Sequence, residues 1–188
     1  MAIEDRTHWD TIYLRRAADV YPVPDPLLFQ FTPPAPPHAT ALDLACGVGQ
    51  NGLWLAEQGY IVNLLDISRT ALLRAQDEAN ERALRTVNFF QVDLDETTLE
   101  RDSYDLVCVV RFLQRDLMRQ IRAAIKPGGR ILYETFNTRW LETKPNANRN
   151  YALNPGELTG YFGDWRILHN REIGSTSQII AIKPDRHS

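Results

Sequence analysis

The chain has 188 residues, of which 44% are hydrophobic and 24% are charged, which predicts a single globular domain with a sizeable core. The formal net charge of −3 offers no broad positive field for a nucleic-acid backbone, so DNA and RNA are not expected as main partners. Residues 1–10 lack the apolar segment of a signal peptide and the longest apolar strand run, 106–110, cannot span a bilayer, so we expect a cytoplasmic protein without membrane contact.

The first 40 residues are irregular in pattern. Residues 6–20 predict either a helix or a mobile arm. Residues 22–37 hold seven of the eleven prolines, which indicates an extended connection because proline restricts φ and removes a donor. A short helical turn is predicted at 27–31.

From residue 40, apolar stretches alternate with amphipathic ones. Ser68 is the expected N-cap of a helix that places Leu72, Ala75, Ala79 and Ala83 on one face. "KPGG" at 126–129 ends another helix, and Pro155 stands at the start of a short one. Strands are predicted at 40–46, 60–66, 87–93, 104–110, 130–136, 165–173 and 177–184, and helices at 52–59, 69–84 and 115–125.

This alternation predicts an α/β, Rossmann-like fold: a seven-stranded, mostly parallel sheet with helices on both faces and a C-terminal antiparallel hairpin. The expected single domain comprises an N-terminal arm and proline-rich connection, a cofactor-binding core, a substrate-side loop, and a terminal helix with hairpin; these parts are 1–38, 39–136, 137–157 and 158–188. Ligands of such sheets bind at the carboxyl ends of the strands.

The first strand ends in "ACGVGQNG" at 45–52, which contains G-x-G-x-x-G. Gly47 and Gly49 allow a ligand to approach the backbone, and the following helix presents free N–H groups, so this turn predicts a seat for an anion or carboxylate. The same motif is typical of NAD-binding folds. Asp43 argues against NAD, because its carboxylate would repel a pyrophosphate and attract a cationic amine. Gly52 is expected to serve helix packing.

Acidic residues end the next two strands. Asp66 can accept hydrogen bonds from ribose hydroxyls, or it can be a helix-capping acid. Asp93 can accept from an adenine amine with Leu94 against the base, or it can be a surface acid, and Asp95 is an adjacent competitor. The fourth strand ends at Val110 and Arg111.

Two charged residues follow in the second half. Arg111 either holds an anionic acceptor or a cofactor carboxylate, or pairs with a structural acid. Glu134, inside an apolar strand, is either a salt-bridge partner or a cleft acid with a raised pKa.

The sequence does not contain the motifs typical of metal sites, phosphate-binding loops or serine hydrolases. The four histidines have no ligand spacing, and Cys46 and Cys108 are expected to be buried thiols. Neither a P-loop nor a G-x-S-x-G elbow is present.

The chain resembles class I S-adenosylmethionine-dependent methyltransferases, through "LDLACGVGQNG", "LLDIS", "VDLD" and "IKPGGRILYETF". "HWDTIY", the Asn51 of "GQN" and "RFLQRDLMRQIRAAIKPGG" make it most similar to the small TehB-like, tellurite-resistance-type group. The resemblance covers nearly the whole chain from Trp9 and implies S-adenosylmethionine as cofactor. It implies cofactor-binding roles for Trp9, Tyr13, Asp43, Ala45, Gly47, Gly49, Asn51, Asp66, Ile67, Asp93, Leu94 and Val110, with Arg111 positioning the acceptor.

One residue departs from the family pattern. Ala45 stands where the first glycine of the loop is usual. Alanine is compatible with a negative φ, which is the expectation here, so we expect a slightly tighter pocket and no loss of binding.

The expected function is methyl transfer to a small-molecule acceptor, either a soft sulfur, selenium or tellurium nucleophile or an oxyanion. The alternatives are a non-catalytic S-adenosylmethionine-binding module and an NAD(P)-binding protein. Residues 6–20 and 137–154 are expected to form a lid, and aromatic faces from Trp9, Tyr13, Phe112 and Tyr133 are candidates to stabilise the sulfonium. The sequence indicates no oligomeric state.

Overall fold

A computed structural model describes residues 2–185 of the chain. Within it the chain divides into two compact units, the first extending to Thr98 and the second beginning at Leu99. None of the helices in residues 2–185 combines the length and apolarity that a membrane crossing requires.

The first unit is built from alternating helices and parallel strands. Its sheet has the order β3-β2-β1, with Asp43 of β1 opposite Leu64 of β2 and Asp66 of β2 opposite Gln91 of β3. Its elements are α1 (Ala2–Arg15), α2 (Pro26–Phe31), β1 (Thr40–Leu44), α3 (Gln50–Glu57), β2 (Ile61–Asp66), α4 (Arg69–Glu81) and β3 (Val87–Gln91).

The second unit has the strand order β4-β5-β7-β6. β4 and β5 are parallel, whereas β7 is antiparallel to both of its neighbours, β5 and β6. Its elements are β4 (Tyr104–Val110), a 3₁₀ turn (Arg115–Leu117), α5 (Met118–Ala124), β5 (Ile125–Phe136), α6 (Trp140–Thr143), a 3₁₀ turn (Arg149–Tyr151), α7 (Glu157–Phe162), β6 (Arg166–Ile173) and β7 (Thr176–Ile182).

These elements confirm the predicted fold class: an α/β, Rossmann-like fold with seven mostly parallel strands in the described residues and a C-terminal antiparallel hairpin. Residues 2–15 are helical, which decides between the helix and the mobile arm. Ser68 caps α4 as predicted, since its hydroxyl accepts a hydrogen bond from the Ala71 N–H at 3.1 Å.

Several predicted boundaries differ from the structure by one to five residues, and two of these differences have a clear physical reason. α4 ends at Glu81, so Ala83 lies beyond the helix, exposed and with φ of 55°, and not on the buried face. β5 begins at Ile125 and includes "KPGG", because Ile125 pairs with Tyr104 of β4 before the register shifts at a bulge.

In the first unit, buried apolar residues of α3 and α4 pack against the strands. The buried face of α4 consists of Ala71, Leu72, Ala75 and Ala79. Gly52 of α3 lies so close to the sheet that a Cβ there would be 2.2 Å from Cδ2 of Leu64. The expectation that Gly52 serves helix packing is therefore confirmed.

Candidate cofactor site in the first unit

The turn after β1 is held in left-handed backbone conformations at three positions. Gly47 and Gly49 have φ values of 57° and 79°, which glycine adopts without steric cost. Ala45 has φ of 53°, so the expectation of a negative φ there was wrong. The turn imposes this conformation on Ala45 although it places the alanine Cβ unfavourably close to the backbone.

Asp66 links this turn to the turn after β2. Its Oδ2 accepts a hydrogen bond from the Gly47 N–H at 2.7 Å, and its Oδ1 accepts one from the Ser68 N–H at 2.8 Å. Burial is the main cause that raises the pKa of this carboxyl, since only 6% of the residue is exposed. A carboxylate has about four acceptor positions, so Asp66 retains capacity for further donors such as ribose hydroxyls.

Asp43 and Asn51 both contact backbone groups of the same unit. Oδ2 of Asp43 accepts from the Gly52 N–H at 2.8 Å, in the first turn of α3. Asp43 is fully buried, and this burial raises the pKa of its carboxyl to about 7. Oδ1 of Asn51 accepts from the Asp25 N–H at 2.8 Å, which ties the proline-rich connection to α3.

Helix α1 brings Tyr13 to the glycine turn. The Tyr13 hydroxyl would lie 2.5 Å from a Cβ built on Gly47, so this glycine allows the tyrosine to approach the backbone. The Trp9 ring is 6.2 Å from the Tyr13 ring and is 43% exposed. Burial and the negative charge of Asp66 raise the pKa of Tyr13, which stays a neutral hydroxyl.

Sequence reasoning missed three residues that join the N-terminal segment to this region. Asp10 accepts from the Ser68 hydroxyl at 2.6 Å, Tyr21 donates to the Val48 carbonyl, and Arg74 donates to the carbonyls of Arg16 and Asp19. Only Asp10 carried a signal, as part of "HWDTIY". Contacts between residues this distant in sequence have no local pattern from which to infer them.

Asp93 follows β3 and has an acceptor available. Its Oδ1 accepts from the Asp95 N–H at 2.9 Å, whereas Oδ2 is buried without a hydrogen-bond partner within residues 2–185. Such an atom is costly to leave unpaired, which fits a site that receives a donor. Leu94 is 8% exposed, and Ile67 accepts through its carbonyl from the Gln91 amide at 3.2 Å.

The second unit holds the predicted acceptor-side residues. Arg111, directly after β4, has φ of 58°, and its N–H donates to the Glu134 carbonyl at 2.8 Å. Its side chain is exposed, and its guanidinium makes no hydrogen bond or ion pair with any other part of residues 2–185. Val110 is paired in register with Glu134.

Glu134 is part of a series of side-chain hydrogen bonds that connects three strands. Gln178 of β7 donates from its amide to Oε2 of Glu134, and its Oε1 lies 2.9 Å from Nε2 of His169 on β6. Glu134 and Gln178 are each 9% exposed. The buried carboxylate is therefore paired with an amide donor from within its own unit.

The polar stretch after β5 is anchored to the second unit. Arg115 donates to the carbonyls of Asn150 and Ala152 and forms an ion pair with Glu157, with 2.6 Å between Nε and Oε1. The Trp140 ring stacks on Phe136 at 4.5 Å. The predicted substrate-side loop therefore contains a short helix, Trp140–Thr143, and a 3₁₀ turn, Arg149–Tyr151.

Cys46 and Cys108 are buried free thiols, as predicted. Residues 2–185 contain no cluster of three or more His, Cys, Asp or Glu side chains that could hold a metal ion.

A family model described as a methyltransferase domain matches residues 41–129, which contain the glycine turn, Asp66 and Asp93. Residues 41–129 therefore have the sequence pattern of a methyltransferase domain. The fold of the chain is that of class I enzymes, whose cofactor is S-adenosylmethionine.

A curated relative of this methyltransferase-domain protein is a ubiquinone biosynthesis O-methyltransferase of Coxiella burnetii. It is 28% identical over 149 residues, which cover 68% of this chain and 63% of the relative. The match therefore spans less than two thirds of the relative's length.

Solved structures of low identity share the fold. An S-adenosylmethionine-dependent methyltransferase from Mesorhizobium loti has a TM-score of 0.70 at 18% identity and covers 84% of this chain and 96% of its own. TehB from Haemophilus influenzae has a TM-score of 0.69 at 18% identity, covering 84% of this chain and 60% of its own. The likeness to TehB is thus one of fold.

The residues of the methyltransferase domain fit this cofactor. The glycine turn has the left-handed backbone that lets a ligand approach without a Cβ at Gly47 and Gly49, Asp66 keeps acceptor positions, and Asp93 has a buried oxygen without a hydrogen-bond partner within residues 2–185. When bound, S-adenosylmethionine would supply a methyl group that its sulfonium already activates.

Proposed function

We propose that this protein transfers a methyl group from S-adenosylmethionine to a small-molecule acceptor, and that its first unit binds the cofactor. The supporting observation is the position of Asp66, which is hydrogen-bonded to the turns after both β1 and β2. In this proposal Asp66 accepts from the ribose hydroxyls, Asp93 accepts from the adenine amine, and Gly47 and Gly49 border the methionine end.

The protein's own contribution to the reaction is orientation. Nucleophile, methyl carbon and sulfur must lie in line with water excluded, and such positioning contributes up to about 7–11 kcal/mol in favourable cases. In this proposal Tyr13, whose hydroxyl approaches Gly47, and its neighbour Trp9 are the candidate aromatic groups to stabilise the sulfonium.

The acceptor is proposed to be an oxyanion or a soft sulfur, selenium or tellurium nucleophile positioned by Arg111. The support is the exposed Arg111 guanidinium without an ionic partner in residues 2–185. The stretch 137–151 adds three basic residues against one acid. An oxygen acceptor on a small metabolite is the second candidate, favoured by the O-methyltransferase name of the Coxiella relative.

Calorimetry with S-adenosylmethionine, S-adenosylhomocysteine and NAD tests the cofactor assignment. We expect binding of the first two ligands, no binding of NAD, and affinity reduced by about tenfold or more in Asp66→Ala. Asp77→Ala, an exposed acid on α4, is the matched control. Tight NAD binding without response to the other two ligands would contradict the proposal.

Catalysis requires a separate test, because a non-catalytic binding module would have the same cofactor site. Production of S-adenosylhomocysteine should be measured with panels of thiol, selenide, tellurite and phenol acceptors. Cofactor binding without turnover on any of them favours the binding module.

A further inference from the structure

We infer that Asp10 is a positioning residue for the cofactor's ribose site, acting on Asp66 through Ser68. The inference rests on the proposed function, because it assumes that Asp66 binds the cofactor. Within residues 2–185, Asp10 makes no hydrogen bond to the glycine turn or to Asp66. Its effect is transmitted through the turn after β2, to which it is hydrogen-bonded.

The link consists of three hydrogen bonds at the start of α4. Oδ1 of Asp10 accepts from the Ser68 hydroxyl at 2.6 Å and from the Thr70 N–H at 3.0 Å. The N–H of the same Ser68 donates to Oδ1 of Asp66 at 2.8 Å. Ser68 is fully buried, so its orientation is set by these partners. One serine therefore connects the carboxylates of Asp10 and Asp66.

The charge state of Asp10 suits this role. Burial opposes ionisation, but the hydrogen bonds from Ser68 and Thr70 outweigh it and lower the pKa of the carboxyl. An ionised carboxylate at the N-terminus of a helix is also favoured by the helix dipole. Asp10 is thus a charged cap for α4 supplied by another helix.

The same face of α1 also reaches the other turn. Tyr13 lies one helical turn after Asp10, and its hydroxyl approaches Gly47. Gly47 in turn donates to Oδ2 of Asp66. The two turns that Asp66 joins directly are therefore joined a second time by α1. The position of the Asp66 carboxylate consequently depends on the packing of α1 against these two turns.

A double-mutant cycle with S-adenosylhomocysteine, measured by calorimetry on the full chain, tests the inference. Asp10→Ala is expected to weaken binding about tenfold in the wild-type background and less than about twofold in the Asp66→Asn background. Asp10→Asn retains an Oδ1 acceptor for both donors and should stay within about threefold of wild type. Asp5→Ala, an exposed acid on the same helix, is the control and should have no effect.

Several outcomes would overturn the inference. If Asp10→Ala weakens binding equally in both backgrounds, Asp10 acts independently of Asp66. If Asp66→Asn weakens binding but Asp10→Ala does not, this inference alone fails. If Asp66→Asn leaves affinity unchanged, the proposed assignment of Asp66 fails and the inference with it. Should Asp10→Ala not fold, as judged by thermal unfolding, Asp10→Ser, whose side chain is shorter than that of aspartate, replaces it in the cycle.

Discussion

Asp66 accepts a hydrogen bond from the Gly47 N–H at 2.7 Å across 19 residues of sequence. Parallel pairing of β1 and β2 causes this approach, because it places the carboxyl ends of both strands at one edge of the sheet. A ligand that binds the glycine turn therefore meets a carboxylate already oriented by the turn's own backbone.

Asp43 is expected to make stability depend on pH. Burial raises its pKa from 3.8 to about 7, so the native state binds a proton more tightly than the unfolded chain does. Its contribution to the free energy of unfolding is therefore greatest at low pH and is lost as the pH rises from about 4 to about 7. The slope from one such group is at most about 1.4 kcal/mol per pH unit.

Urea unfolding of wild type and Asp43→Asn at pH 5, 6, 7 and 8 checks this expectation. The variant is neutral throughout and should show a smaller fall in the free energy of unfolding with pH. Asp77→Asn, at an exposed position, should keep the wild-type slope. Equal slopes for wild type and Asp43→Asn would show that Asp43 does not titrate in this range.

Ala45 is a site where glycine should stabilise the fold. Its φ of 53° strains an alanine, whereas glycine adopts it without steric cost. Relief of this strain outweighs the greater flexibility of the unfolded glycine variant, so Ala45→Gly should raise the free energy of unfolding by about 0.5–1 kcal/mol. Ala45→Val should lower it by about 1–2 kcal/mol, since a β-branched residue tolerates this region poorly. Chemical denaturation measures both, and a destabilised glycine variant would refute the strain argument.

Gly52 and Gly160 form a matched pair of helical glycines. A Cβ at Gly52 would lie 2.2 Å from Cδ2 of the fully buried Leu64, so Gly52→Ala should destabilise the fold by about 1–3 kcal/mol through overpacking. Gly160 in α7 has nothing within 4 Å of such a Cβ, and Gly160→Ala should stabilise by about 0.5–1 kcal/mol. Equal effects in thermal unfolding would contradict the packing role of Gly52.

Arg111 combines a strained backbone with an exposed charge, and two variants separate these properties. Arg111→Ala removes the guanidinium and keeps the strain, whereas Arg111→Gly removes both. If the charge positions the acceptor, both should lower kcat/KM for the acceptor by about tenfold or more while cofactor affinity stays within about twofold.

Steady-state kinetics with the acceptor found in the turnover screen provide the measurement. Arg119→Ala, an exposed arginine on α5, is the control and should match wild type. Wild-type acceptor kinetics in both Arg111 variants would remove Arg111 from the proposed site.

Local signals in the sequence predicted local structure well. The N-cap at Ser68 was predicted because a serine precedes a stretch with helical apolar periodicity. Its hydroxyl does accept a hydrogen bond from the Ala71 N–H. The end of α4 was misplaced because Ala83 continues the apolar period although the helix stops at Glu81. Helix ends depend on how the chain leaves the core, which periodicity does not record.

The conformation at Ala45 shows the limit of propensity. Alanine ordinarily favours negative φ, and nothing local in "ACGVG" departs from that rule. The left-handed value arises because β1 must lead into a turn whose Gly47 N–H reaches Asp66. Tertiary hydrogen bonding thus overrides the preference of the single residue.

The sequence by itself determined the alternation of strands and helices, the positions of the glycine turn and the acidic strand ends, and hence the class of fold. These features follow from periodicity and residue type, which act over a few neighbouring residues. Only the tertiary structure decided that Asp10 caps α4, that Asn51 holds the Asp25 backbone and that Asp93 has an unpaired buried oxygen within residues 2–185. Such contacts depend on which elements pack together, and packing brings residues into contact irrespective of their separation along the chain.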